Sequence, residues 1–123
     1  MKPAKTSFIK GRIKSIKYAF KGFFLLLSTE HSIITQVIIG CIACIAGYVF
    51  DLSKAEWIAQ LFAIGLVLTT ESLNTAIEKI CDFIQPNFDP KIGEIKDIAA
   101  GAVTFAALTA CIIAAIIYIP KIL

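Results

Sequence analysis

Two carboxylates and one amide recur at helical spacing within an apolar segment of this 123-residue chain. Glu71, Asn74 and Glu78 occupy positions i, i+3 and i+7 of the stretch LVLTTESLNTAIEKICD. At about 100° per residue of an α-helix, the three side chains fall within an arc of about 60°. An ionisable side chain at membrane depth costs roughly 2.5 to 3.5 kcal/mol on insertion scales, so such residues usually have a function. This face is therefore the candidate functional site.

Other charged residues flank the apolar segments on the same side. Glu30 comes just before one segment, and Lys96 and Asp97 come just before another. Carboxylates completed by substrate phosphates and water are the ligands that Mg²⁺ prefers, and a lysine can hold a phosphate. A remaining carboxylate can serve as general base toward a hydroxyl group. The combination predicts phosphoryl transfer at a membrane surface.

The residues alone leave other functions open. The sequence contains no Walker A motif or kinase glycine-rich loop, so a lipid kinase, an ion-coupled transporter subunit and a small oligomeric channel all remain candidates. A transporter would carry its carboxylates in mid-span with repeat symmetry, whereas these cluster toward one side and no internal repeat is found. A non-catalytic oligomeric membrane protein is the alternative to an enzyme.

The elements that must position these residues are membrane helices. Hydrophobic residues make up 58% of the chain, and the mean hydropathy is +0.81, too high for a soluble fold of this size. Segments 32–50 and 98–119 carry no charge and approach the ~20 residues that span a bilayer. Segment 55–77 is of similar length but contains Glu56, Glu71 and Asn74. We expect an all-α membrane protein of one domain, 1–123, with three transmembrane helices.

The N-terminal part predicts an amphipathic helix over 6–29 that lies on the inner membrane surface. Its apolar residues recur in steps of three and four, and lysines follow about 100° round the helix, toward anionic headgroups. Nucleic-acid binding is disfavoured because each of these lysines adjoins an apolar face. Seven of the 12 Lys and Arg residues lie within the first 22 positions, which predicts a cytoplasmic N-terminus. The apolar cluster 23–27 is too short for a signal-peptide core, so the N-terminus is expected to be mature.

Local signals give the ends of the spans. Ser53 and Glu56 form a capping-box pattern at the start of the second span, and residues 85–90 (QPNFDP) are a helix stop within a polar inner loop, 79–97. The third span is rich in alanine, which favours close helix packing in lipid. Self-association would hide the polar face of the second span. The four cysteines are expected to be buried apolar residues rather than metal ligands.

The chain resembles the small integral-membrane bacterial diacylglycerol kinases, a family that includes undecaprenol kinases, in ESLNTAIE (71–78), KDIAAGAV (96–103), YAFKG (18–22) and Glu30. The resemblance implies a homotrimer of three-span chains in the bacterial inner membrane, with surface helices and with active sites between subunits. It also implies transfer of the ATP γ-phosphate, with Mg²⁺, to a membrane lipid alcohol. Diacylglycerol and undecaprenol both present a primary hydroxyl at headgroup depth, so the substrate is expected to be one or the other, and the sequence leaves the choice open.

By position, the resemblance also implies roles for individual residues. Glu71 matches the general base, and Asn74 matches an amide near the lipid hydroxyl. Glu30 and Glu78 match the metal-binding carboxylates, and the positions on the nucleotide side are Tyr18, Lys96 and Asp97. Two further features depart from the family pattern and are not carried over: the spacing from Arg12 to Tyr18 and the residue types of the loop 87–89.

Overall fold

The computed structural model describes residues 7–123, which form the four helices α1 (Phe8–Thr29), α2 (His31–Val49), α3 (Lys54–Ile84) and α4 (Pro90–Ile122). No strand occurs within residues 7–123, so the all-α prediction is confirmed for that part of the chain. The predicted start of the surface helix at residue 6 lies outside the described residues, as do Lys2 and Lys5. Within the described part, α1 matches the predicted surface helix.

Helix α1 lies on the outside of the other three helices. The Ser7 side chain caps it by accepting a hydrogen bond from the backbone N–H of Lys10 at 3.2 Å. None of its residues is buried, and apolar side chains such as Ile13 and Phe20 are exposed. The helix stops where Glu30 adopts an extended backbone, with φ −101° and ψ 110°. This single residue separates α1 from α2.

The turn between α2 and α3 has the predicted capping box. The backbone N–H of Ser53 donates to Glu56 Oε1 at 2.9 Å, and that of Glu56 donates to Ser53 Oγ at 3.2 Å. Close packing behind the turn depends on Gly47, because a Cβ atom there would lie 2.8 Å from Cη2 of Trp57. Real Cβ atoms essentially never come so close, so Gly47 lets α2 approach the start of α3.

Helices α3 and α4 extend well beyond the predicted spans 55–77 and 98–119. The segment 79–97, predicted to lie on the inner side, is largely helical, because only its residues 85–89 are not in a helix. The reason is a helix start within the predicted helix stop: the Asp89 carboxylate accepts from the backbone N–H groups of Lys91, at 2.9 Å, and Ile92, at 3.4 Å. Pro90 takes the first helical position, where its missing N–H has no cost. The predicted stop is correct for α3, which ends at Ile84.

Helix α4 runs antiparallel to α3, and ion pairs join the two helices at both ends. Lys121 Nζ lies 3.2 Å from Glu56 Oε1 at one end, and Lys96 pairs with Asp82 at the other. Near the Glu56 end, buried Gln60 donates to the carbonyl of Ala43 in α2 at 3.0 Å and accepts from the Tyr118 hydroxyl in α4. One amide thus links three helices.

Two of the described helices, α2 and α4, are long and apolar enough to cross a membrane by length and composition. Helix α3 does not meet that criterion, since polar side chains such as Gln60, Glu71 and Asn74 interrupt its apolar sequence. The surface is strongly apolar along the helices: Phe62, Phe105 and Ile116 are among many large exposed hydrophobic side chains. In water such an apolar surface is an interaction site, so lipid or other protein is needed to cover it.

Candidate active site

The polar face predicted from spacing is present on α3, which is unbroken from Lys54 to Ile84. Asn74 is buried at 9% exposure, Glu71 is half-buried and Glu78 is exposed. The Asn74 Oδ1 atom is buried without a hydrogen-bond partner in the described part of the chain. An unsatisfied buried polar atom costs about 1–3 kcal/mol, and such atoms in folded proteins call for an explanation, a catalytic role among them.

Glu30 does not cap the helix that follows it. It occupies the N-cap position of α2, but its side chain makes no capping hydrogen bond. Its Oε2 atom instead lies 3.3 Å from the Nζ atom of Lys79 in α3 and accepts a hydrogen bond from Thr29 Oγ1 at 3.1 Å. Glu30 therefore lies beside the last turns of α3, the part of the helix that also carries Glu78.

A cleft of about 670 Å³ opens between α1 and α3, and its lining includes Tyr18, Glu30, Ser72, Thr75 and Lys79. The structure therefore brings Tyr18 and Glu30 to one cavity, with the Glu30–Lys79 ion pair in its wall. Glu71, Asn74 and Glu78 are not among the lining residues. They lie about a third of a turn away around α3, so a single chain holds the predicted site residues on two adjoining surfaces.

Lys96 reaches α3 one turn beyond Glu78. Its Nζ atom donates to Asp82 Oδ1 at 2.5 Å. Lys96 precedes the apolar segment 98–119. The hydrogen bond to Asp82 raises the pKa of Lys96, so the lysine stays charged at neutral pH. Asp97 is exposed. The lysine expected to bind the nucleotide is thus held beside the acidic end of α3.

The carboxylates of Glu30 and Glu78 are suited to a metal ion that binds together with the nucleotide. Within residues 7–123 no group of three or more His, Cys, Asp or Glu side chains could hold a metal ion. Glu30 and Glu78 would each supply one carboxylate. Mg²⁺ is usually bound through one or two carboxylates, with substrate phosphates and water completing its shell. The donor set therefore fits a magnesium–nucleotide complex better than a resident ion.

Sequence reasoning missed a second polar face of α3. Ser72, Thr75 and Lys79 line the cleft together with Ala76, at positions i, i+3, i+7 and i+4, the spacing of one helix face. That spacing was visible in the sequence but was obscured by the acidic face beside it. Asp82 was also missed, because its pairing with Lys96 depends on how α3 and α4 pack.

The sequence profile of the prokaryotic diacylglycerol kinases matches residues 17–118. The chain belongs to this family. It is 36% identical over 108 residues to an undecaprenol kinase of Bacillus subtilis, covering 88% of each chain. It is 28% identical over 110 residues to a diacylglycerol kinase of Synechocystis sp., covering 89% of this chain and 63% of the relative.

Family membership confirms the predicted resemblance and identifies the chain as a lipid kinase of the membrane. A membrane lipid is its substrate, and ATP is the phosphoryl donor that a kinase of this family implies. The apolar helices α2 and α4 agree with a membrane location. The membership favours an enzyme over the non-catalytic oligomer that the residues alone left open.

Proposed function

We propose that this protein transfers the γ-phosphate of ATP, with Mg²⁺, to the primary hydroxyl of a lipid alcohol at the cytoplasmic face of the bacterial inner membrane. The observation that carries the proposal is the buried Oδ1 atom of Asn74, which has no hydrogen-bond partner among residues 7–123. Asn74 lies about one helical turn after Glu71. A lipid hydroxyl supplies the donor that this oxygen lacks. The same hydroxyl is then within reach of a carboxylate on the same helix face.

In the proposed reaction the lipid hydroxyl first donates to Asn74 Oδ1 and turns toward Glu71 as its oxygen attacks the γ-phosphorus. Glu71 accepts the proton, the bond from the γ-phosphorus to the bridging oxygen breaks, and ADP leaves. Glu30 and Glu78 would hold Mg²⁺, which neutralises phosphate charge when bound. Lys96 and Asp97 would contact the nucleotide, with Tyr18 on the side of α1.

The proposed assembly is a homotrimer whose chains each cross the membrane three times, with α3 as the middle span. Two features support the trimer. A single chain leaves a large apolar surface uncovered, and neighbouring subunits would shield the polar face of α3 from lipid. With 31 residues, α3 exceeds the ~20 that a span needs. An active site formed between two subunits could also contain residues from both polar surfaces of α3.

The proposed orientation places α1 and the Asp82 end of α3 on the cytoplasmic side. The ion pair between Glu30 and Lys79 sets the end of α1 beside the last turns of α3, where Lys96 also lies. The end of α1, a helix that carries several lysines, therefore lies at the same end of the molecule as Lys79 and Lys96. A concentration of lysines at one end is typical of the cytoplasmic side.

Undecaprenol is the proposed preferred lipid, and diacylglycerol is the second candidate. The Bacillus subtilis relative that matches 88% of both chains is an undecaprenol kinase, whereas the Synechocystis relative is a diacylglycerol kinase with lower identity. The proposed chemistry serves either lipid because it uses only a primary hydroxyl. The preference therefore depends on how the protein holds the rest of the lipid.

The decisive assay supplies purified protein with Mg²⁺ and γ-labelled ATP in mixed micelles that contain undecaprenol or diacylglycerol. We expect labelled lipid from both, with faster turnover on undecaprenol. Glu71→Gln should lower kcat by about 10²- to 10⁴-fold, the usual contribution of a general base, and leave the cross-linked trimer intact. Glu94→Gln, at an exposed carboxylate of α4, is the matched control and should keep parental turnover.

Two results would overturn the proposal. Folded protein that labels neither lipid would refute the proposed reaction. Full turnover by Glu71→Gln would remove Glu71 as the base. Faster turnover on diacylglycerol would reverse the proposed preference and leave the chemistry in place.

A further inference from the structure

The ion pair between Lys79 and Glu30 lies in the wall of the cleft between α1 and α3. We propose that Lys79 is a phosphate-binding residue that Glu30 holds until a metal–nucleotide complex arrives. When the complex is bound, Glu30 would hold the metal in place of the ammonium group, and Lys79 would contact the phosphates. The inference rests on the proposed function, since it takes Glu30 as a metal ligand.

The geometry allows this exchange at little cost. The Nζ–Oε2 distance is 3.3 Å, but the Lys79 side chain is 66% exposed and that of Glu30 is 21% exposed. Ion pairs with such exposure are weak because water screens them. The long lysine side chain can therefore leave the carboxylate without unfolding either helix. Its head already lies at a cavity of about 670 Å³.

Charge balance explains why both partners would change together. Mg²⁺ alone would displace the ammonium group and leave two cations side by side, while a nucleotide alone would bring its phosphates against the Glu30 carboxylate. A metal–nucleotide complex offers a cation to Glu30 and an anion to Lys79 at once. The pair would thus favour the complex over either component, which suits a kinase whose phosphoryl donor is that complex.

A purely structural ion pair makes a different prediction. If Lys79 only ties α1 to α3, its loss should weaken the binding of every ligand in the cleft. If Lys79 acts as proposed, its loss should have two effects of opposite sign. The metal alone should bind more tightly, because its competitor is gone, and the metal–nucleotide complex should bind more weakly, because one phosphate contact is gone.

The test compares Lys79→Met and Lys79→Arg with the parent protein in detergent. Binding of Mn²⁺ alone, followed by the loss of the free-ion electron paramagnetic resonance signal, should be about two- to fivefold tighter in Lys79→Met. Binding of Mg²⁺ with a non-hydrolysable ATP analogue, followed by calorimetry, should be about tenfold weaker. Lys79→Arg keeps the positive charge and should stay near the parent. Lys91→Met removes an exposed lysine of α4 and should change neither value.

Equal changes of both affinities in one direction, or no change in either, would overturn the inference. If Lys79→Met does not fold, Lys79→Gln gives the same comparison. Lipid phosphorylation by the parent separates the two proposals: an inactive parent refutes the proposed function, whereas an active parent with parallel affinity changes refutes only the role of Lys79.

Discussion

Replacing Asn74 with leucine is expected to stabilise the fold while removing kinase activity. The Oδ1 atom of Asn74 is buried and finds no hydrogen-bond partner in the part of the chain that the structure describes, and an unsatisfied group of this kind costs about 1–3 kcal/mol. Leucine has no polar atom to satisfy, although fitting its different shape can cost up to about 1.5 kcal/mol. The net expectation is a free energy of unfolding about 1 kcal/mol higher than that of the parent. Turnover should fall by about 10²- to 10³-fold, the usual effect of losing one oriented polar group in an active site.

The control is a second buried amide on the same helix. Gln60 is 5% exposed, and both ends of its amide are bonded, to the Ala43 carbonyl and the Tyr118 hydroxyl. Gln60→Leu removes both bonds, and the Tyr118 hydroxyl keeps only its 3.3 Å hydrogen bond to the Ala43 carbonyl. The two lost bonds, at about 0.5–1.5 kcal/mol each, should together cost about 1–3 kcal/mol. The same substitution at two positions of α3 should therefore shift the stability in opposite directions.

Unfolding in mixed micelles of increasing sodium dodecyl sulfate measures both variants. The chain contains a single tryptophan, Trp57, which packs against Gly47, so its fluorescence reports the separation of α2 from α3. Far-ultraviolet circular dichroism gives an independent transition. A loss of stability in Asn74→Leu comparable to that in Gln60→Leu would refute the reasoning, because it would mean that the Asn74 amide is satisfied in the assembled protein.

Two further predictions concern packing and metal use. Gly47→Ala should lower the free energy of unfolding by about 1–3 kcal/mol, because the new Cβ would lie 2.8 Å from the Trp57 ring. Gly22→Ala is the control and should leave the free energy of unfolding unchanged, because nothing lies within 4 Å of its Cβ position. Equal stabilities of the two variants would contradict this prediction. Glu30→Ala and Glu78→Ala should each raise the Mg²⁺ concentration needed for half-maximal turnover more than the KM for lipid, and Mg²⁺ titrations that overlay the parent's would disprove their assignment as ligands.

Periodicity was sufficient to predict most of the helical framework. The steps of three and four in α1, the uncharged run of α2 and the Ser53 capping box each depend on residues close together in sequence, and each is found. The shared face of Glu71, Asn74 and Glu78 also follows from spacing alone. These features are local, so they need no knowledge of how the helices pack.

Features that depend on contacts between helices were not predictable in the same way. The pairing of Glu30 with Lys79 depends on how the start of α2 packs against the end of α3, and the bond between Gln60 and Tyr118 joins residues that are 58 positions apart. The polar segment 85–90 correctly predicts the end of α3, but Asp89 and Pro90 also start α4, and this second role was not predicted. The sequence also could not show that the Asn74 Oδ1 atom lacks a partner within residues 7–123, because this depends on which side chains pack around it.

The two ion pairs between α3 and α4 lie near the two ends of the hairpin that these helices form. Glu56 and Asp82 are separated by about 39 Å along α3 at 1.5 Å per residue, and their partners Lys121 and Lys96 by a similar distance along α4. A bilayer has a hydrocarbon core of about 30 Å. If both helices cross it as proposed, these pairs lie at the two headgroup layers, where each favours the observed register of the two helices. In a thinner or thicker membrane the hairpin would then tilt as a whole. Bilayer thickness would therefore change the depth of the active site relative to the lipid headgroups.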